Sequence, residues 1–94
     1  MDLKQLKYFV TVAEEGTISA AAKKLFMSQP PLSIQMKLLE QELGCPLFER
    51  GQKHICLTDT GKLLYDRAQN LLKMEASMRQ DIEACSRTEK DTIR

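Results

Sequence analysis

The sequence predicts a mainly α-helical chain of three short helices, a two-stranded hairpin and one long terminal helix. Three observations predict it. Apolar residues recur at helical spacing in two stretches that each end in a glycine, Gly16 and Gly44. Between Leu47 and Leu57 the pattern shortens to two strand-like runs that bracket Gly51-Gln52-Lys53-His54. After Gly61 neither glycine nor proline interrupts the chain through Ser86. The organisation expected is a compact unit over residues 1–58, a long helix over 59–87, and a polar hinge or frayed end over 88–94.

The first helix is expected over Asp2 to Glu15. Asp2 and Gln5 stand three apart, as an N-cap and its reciprocal partner do. Leu3, Leu6, Phe9, Val10 and Ala13 fall on one face as core, and Gly16 supplies the left-handed stop. Ser19 then caps a short helix, about Ala20 to Phe26, whose Ala21, Ala22 and Leu25 face inward; small side chains let helices approach closely. Ser28 is a good N-cap for a third helix, with Pro30 and Pro31 in the first turn, where missing N–H groups cost little. That helix continues to Leu43, so Phe26-Met27-Ser28 forms a tight helical corner.

The third helix has two faces. At 100° per residue Leu32, Met36, Leu39 and Leu43 share the inner side. Pro30, Ile34, Lys37 and Gln41 share the outer one, flanked by Gln29 and Ser33. A helix entering the major groove of DNA wants donors, small apolar contacts to thymine methyls and no carboxylate, and this face fits. An ordinary solvated face has the same composition, and helical geometry by itself does not choose between the two. The runs Leu47–Arg50 and Ile55–Leu57 read as a hairpin with a basic tip, the shape of a wing. Thr58 caps the long helix from about Asp59 to Ser86. There Leu64, Ala68, Leu71, Glu75, Met78, Ile82 and Cys85 follow alternating steps of four and three, a seam for a partner helix. Twenty-eight residues extend ~42 Å, longer than so small a domain can cover. A second copy of the chain is the simplest cover, with Glu75 a weak point in the seam.

Length and composition bound the rest. Ninety-four residues, 43% hydrophobic and 29% charged, make one small folded domain rather than a disordered segment. No apolar run approaches the ~20 residues of a membrane span, and Met1-Asp2-Leu3-Lys4 does not open a signal peptide, so a cytoplasmic protein with no membrane partner is expected. Cys45, Cys56 and Cys85 form no CxxC pair and His54 is the only histidine, which reads as free thiols with no metal site. Net charge is only +1, yet its distribution is uneven. Gly16 to Leu39 holds Lys23, Lys24 and Lys37 and no acid; Arg50 to Thr58 holds Arg50, Lys53 and His54 and no acid. Acids collect at Glu14-Glu15, Glu40, Glu42, Glu49 and the C-terminal third. One basic face, not a basic surface, is expected, and phosphate attraction is felt locally, within ~10 Å.

The linked motifs resemble a known family. Thr17-Ile18-Ser19-Ala20-Ala21-Ala22-Lys23-Lys24-Leu25 leads into Ser28-Gln29-Pro30-Pro31-Leu32-Ser33-Ile34-Gln35. These are followed by Leu39-Glu40-Gln41-Glu42-Leu43-Gly44, Leu47-Phe48-Glu49-Arg50 and Leu57-Thr58-Asp59-Thr60-Gly61. The series, over residues 1 to about 88, resembles the N-terminal domain of LysR-type transcriptional regulators. The resemblance implies a winged helix-turn-helix with its third helix in the major groove, its wing at the minor groove, and a linker helix that pairs two subunits on an inverted repeat of double-stranded DNA. It implies a homodimer here and a tetramer in a full-length parent. A small-molecule effector would act only through a C-terminal domain outside these residues, so the chain reads as the DNA-binding half, cut from a longer regulator or naturally short. Carried over by position, the DNA contacts are Ser28, Gln29, Pro30, Pro31, Ser33, Ile34, Lys37, Arg50 and Lys53. For Lys23 and Lys24 a phosphate contact and a merely solvated position both stay open. Dimerisation falls to Leu64, Ala68, Leu71, Met78 and Ile82.

Two departures from the family pattern bear on affinity. Many members carry Arg or another polar residue at the place of Ile34, so specificity at one base is expected to shift or relax, by ~1–3 kcal/mol if the lost contact was bidentate. The wing is lightly charged, which predicts weak intrinsic affinity and modest salt dependence. An enzyme would need converging titratable groups, and the chain offers one histidine, no nucleophile motif and no cofactor motif. An acid-free recognition face argues against an assembly module without DNA binding, while the near-neutral charge keeps that alternative open.

Overall fold

The computed structural model describes residues 1–49, 51 and 53–93, with side chains described through Arg87. Its four helices are α1 (Leu3–Glu15), α2 (Ile18–Lys24), α3 (Gln29–Leu43) and α4 (Asp59–Ile93). Helix α1 starts where Asp2, in extended backbone, accepts the Gln5 N–H at 2.7 Å, and it stops at Gly16 in left-handed geometry (φ 85°). Gln5 does not return the cap. It is 9% exposed, and its amide donates instead to the Gln35 carbonyl (3.2 Å) and Oε1 (3.3 Å), tying α1 to α3. The inner face comprises Leu6, Phe9, Val10 and Val12. Leu3, expected inside, is 39% exposed; Val12 takes the inward place, and Ala13 is half-buried.

The second helix begins earlier than expected. Thr17, not Ser19, is its cap: Thr17 is extended and its hydroxyl accepts the Ala20 N–H at 3.0 Å. Ala21 and Ala22 are buried and Leu25 packs beside them. The helix cannot run through Phe26, whose φ of 55° is left-handed. The Met27 N–H bonds back to Ala22 O (3.0 Å) and the Phe26 N–H to Lys23 O (3.2 Å), the paired bonds of a left-handed helix stop. Glycine usually fills that position; here it is a phenylalanine, 98% exposed.

Helix α3 spans the expected residues and ends at left-handed Gly44. Leu32, Met36 and Leu39 are buried, whereas Leu43, expected with them, is 37% exposed at the open end of the helix. The hairpin is slighter than two strands: among the described residues its pairing is a single antiparallel bridge, Phe48 to Leu57, with Glu49 N–H donating to Cys56 O at 2.8 Å. Side chains and loop backbone anchor it. Phe48 meets the core ring of Phe9 at 5.6 Å between centroids, and Ile55 N–H donates to Gly16 O at 2.7 Å. Leu47, fully buried, belongs to the same core as Phe9, Leu32 and Leu39. Each such side chain contributes roughly 1.5–3 kcal/mol by leaving water.

Helix α4 opens with Thr58 as cap, its hydroxyl accepting the Gly61 N–H (3.0 Å) while donating to Pro46 O (2.8 Å). Gly61 has a steric role. A Cβ there would lie 2.2 Å from the Leu47 carbonyl oxygen, so only glycine lets α4 pass so close to that loop. Leu64, Tyr65, Ala68 and Leu72 pack toward the core. Tyr65 donates to Glu14 on α1 (3.1 Å) and accepts from Gln69 (3.1 Å); burial and then the Glu14 carboxylate raise its phenol pKa. The backbone stays helical through Ile93, past the Ser86 stop expected from sequence. The molecule is consequently elongated, 62 × 26 × 19 Å.

Candidate nucleic-acid interface

The exposed side of α3 is built by what the core takes from it. With Leu32, Met36 and Leu39 committed inward, Gln29, Pro30, Ile34, Lys37 and Gln41 are left facing out. Ser28, Gln29, Pro30, Pro31 and Lys37 are all exposed, and Ile34 is 55% exposed. Ser33 is half-buried. It lines a cleft of about 190 Å³ between α3 and the hairpin with Ile18, Lys37, Phe48 and Ile55. No carboxylate lies on the exposed face before Glu40, so hydrogen-bond donors, short hydroxyls and apolar surface share one acid-free strip.

Glu40, the first acid on α3, faces the hairpin. Its Oε2 accepts the backbone N–H groups of Leu47 (2.7 Å) and Phe48 (3.3 Å). A carboxylate that takes two backbone amides fixes the segment that donates them. This link sets the hairpin relative to α3, and sequence reading missed it by counting Glu40 only as an acid. The signal was present in part: Glu40 stands one helical turn before the left-handed stop, in reach of the chain that turns back after Gly44.

On the hairpin, Lys53 and His54 are exposed. Arg50, expected to join them, lies outside the described residues. Of the two lysines on α2, Lys24 pairs with Glu15 at 3.3 Å, and Lys23 is exposed. The basic groups are thus spread along α2, α3 and the hairpin rather than gathered at one point.

The α4 seam is divided between two uses. Ala68 is 1% exposed and packs with the core of its own domain, and Leu64 is half-buried beside it. Leu71, Met78 and Ile82 are 47%, 58% and 64% exposed. Met74, which the heptad reading passed over, is 71% exposed and lies beside them. An apolar groove of about 360 Å³ between Leu6, Leu64, Ala68, Leu71 and Met74 continues this stripe to α1. Glu75, the expected weak point, is half-buried, and Arg79 one turn on pairs with it and is held in its charged form. No helix among the described residues is long and apolar enough to cross a membrane.

Comparison with known proteins agrees with this arrangement. Residues 3–62 match the family described as bacterial regulatory helix-turn-helix protein, lysR family. The chain is 44% identical over 94 residues to the HTH-type transcriptional regulator ClcR of Pseudomonas putida, covering all of this chain and 32% of that protein. It is 45% identical over 92 residues to the regulator XapR of Escherichia coli, covering 98% of this chain and 31% of that protein. The chain therefore spans about a third of the length of these relatives. Among solved structures, it superposes on the BenM DNA-binding domain in complex with catB site 1 DNA with a TM-score of 0.89 and 41% identity, covering 92% of this chain and 97% of that one. For the CbnR DNA-binding domain in complex with DNA the TM-score is 0.86, again at 41% identity, covering 92% of this chain and 99% of that one. Helices α2 and α3 are the helix-turn-helix and the Phe48–Leu57 hairpin is the position of the wing, and the chain belongs to the LysR family of bacterial regulatory helix-turn-helix proteins.

Proposed function

We propose that this chain binds double-stranded DNA sequence-specifically as a two-fold dimer on an inverted repeat, with α3 in the major groove and the hairpin tip at the minor groove. The observation that carries the reading is the acid-free strip of α3, exposed at Ser28, Gln29, Pro30, Pro31, Ile34 and Lys37, on a fold that superposes on a DNA-binding domain solved with its DNA. Gln29 offers its amide to an adenine edge or a phosphate, and Pro30, Pro31 and Ile34 offer apolar surface to thymine methyls. Ser28 and Ser33 supply short hydroxyls for the sugar-phosphate backbone. Lys37, and Lys53 with Arg50 on the hairpin, neutralise phosphates. Catalysis has no part in this reading.

Dimerisation follows from α4. Thirty-five residues at ~1.5 Å each give a helix of ~52 Å, and its exposed stripe of Leu71, Met74, Met78 and Ile82 supports burial against the same stripe of a second copy. Two α3 helices related by a two-fold axis read two half-sites in opposite orientation. The experiment is selection of duplexes from a random-sequence pool by the chain itself. An enriched inverted repeat supports the reading; enrichment of a single unrepeated motif, or of nothing, opposes it.

A further inference from the structure

The four helices of this chain do not start alike. Asp2, Thr17 and Thr58 each accept the backbone N–H three residues on, from Gln5 (2.7 Å), Ala20 (3.0 Å) and Gly61 (3.0 Å). Ser28 occupies the same position on α3 with the same extended backbone (φ −82°, ψ 162°), yet its side chain makes no cap bond. The reason is in the sequence. A cap oxygen accepts from the second or third helical residue, and those are Pro30 and Pro31, which have no N–H. The expectation that Ser28 caps α3 is corrected accordingly: its place is that of a cap, but the donor is missing.

We infer that Pro31 is a positioning residue for DNA binding, which by withholding the cap donor lets the Ser28 hydroxyl turn outward and donate to a DNA phosphate. The inference rests on the reading that α3 meets DNA. A cap leaves the hydroxyl proton able to donate, as Thr58 donates to Pro46 O while capping α4, but it holds the oxygen over the third-residue amide; an uncapped serine samples its staggered rotamers and can turn oxygen and proton outward together. Phosphate oxygens only accept, so that proton is what Ser28 brings. The need for it is increased by the same prolines. A helix start ordinarily presents four unbonded amides to an anion, and here only those of Ser28 and Gln29 remain. Ser28 is exposed and adjoins Gln29 at the head of the acid-free strip, so the hydroxyl supplies a donor where the backbone has lost two.

The test is a double-mutant cycle of Ser28→Ala and Pro31→Ala in this chain, read by thermal melting and by titration with the duplex the wild-type chain enriches. In melting, Ser28→Ala leaves the wild-type midpoint unchanged but lowers that of the Pro31→Ala chain by several degrees, because an alanine in place of Pro31 restores the N–H that Ser28 then caps. In titration, Ser28→Ala weakens binding about tenfold, Pro31→Ala weakens it in the same direction, and adding Ser28→Ala to Pro31→Ala costs little more. Equal destabilisation by Ser28→Ala in both backgrounds overturns the inference, since Ser28 would then already be capped. So does binding unaffected by Ser28→Ala, or two binding effects that simply multiply. If Gln29→Ala weakens binding while Ser28→Ala does not, only the proline inference falls; if neither weakens it, the reading of α3 falls too.

Discussion

At the scale of single residues, two backbone positions carry opposite consequences for stability. Phe26 holds a left-handed φ of 55° at the stop of α2 with its ring in solvent. An L-residue with a Cβ is disfavoured there by roughly 1–2 kcal/mol, and the exposed ring returns no packing. Phe26→Gly is therefore expected to raise stability by up to ~1 kcal/mol, the gain reduced by the extra freedom of glycine in the unfolded chain. Urea denaturation checks it. Gly61 is the reverse case. Glycine to alanine inside a helix ordinarily stabilises by about 1 kcal/mol, but here the new methyl meets the Leu47 carbonyl oxygen at 2.2 Å, which is backbone and cannot step aside. Gly61→Ala should lower stability by ~1–3 kcal/mol, the ordinary cost of overpacking, and reduce DNA binding with it.

At the scale of elements, the account turns on how α3 and the hairpin are held together. The hairpin has one bridge of its own and depends on Phe48 against Phe9, Ile55 on Gly16, and the Glu40 carboxylate on the Leu47 and Phe48 amides. Glu40→Ala leaves two partly buried N–H groups without their acceptor and is expected to cost ~1–3 kcal/mol. Glu40→Gln keeps an acceptor oxygen and should cost less. Hydrogen exchange at Leu47 and Phe48, faster in Glu40→Ala and near wild type in Glu40→Gln, separates this local link from general unfolding.

The same scale shows how much was legible from sequence. The stops of α1 and α3 were, because glycine at Gly16 and Gly44 has a local cause, whereas α2 ends before Phe26 and α4 runs past Ser86. The starts were legible in part: Asp2 and Thr58 cap as expected, but Thr17 displaced Ser19, since either hydroxyl can cap and only packing of Ala21 and Ala22 chooses the phase of so short a helix. The exposed face of α3 followed from the inward set Leu32, Met36 and Leu39. Glu40, Gln5 and the steric need for Gly61 were not legible, because each depends on a distant segment arriving at the same place. In α4 the periodic pattern located the stripe but could not divide it into Ala68 for the core and Leu71 for solvent, a choice made by the approach of α1.

At the scale of the whole molecule, the chain is elongated and carries an exposed apolar stripe on its longest helix, the stripe proposed to pair with a second copy. Placing a carboxylate in that stripe by Met78→Glu or Ile82→Glu should shift the chain from dimer to monomer in sedimentation while leaving the melting of α1–α3 nearly unchanged, since both side chains lie clear of the core. A wild-type chain that sediments as a monomer at high micromolar concentration would remove the basis for a two-fold reading of DNA. On the proposed reading, dimerisation also accounts for how a net charge of +1 can suffice: each subunit would bring only a few phosphate contacts, and pairing two subunits would double them on one site.

The central claim is that the exposed face of α3 reads DNA. Its most direct test is titration of the enriched duplex at two salt concentrations with the wild-type chain and with Gln29→Ala plus Ser33→Ala. The account predicts saturable binding that weakens with salt, and a loss of at least tenfold in the double variant with its fold intact, as expected for a base contact of ~1–3 kcal/mol at Gln29 together with a backbone contact at Ser33. Tight binding that ignores both salt and the two substitutions would contradict it.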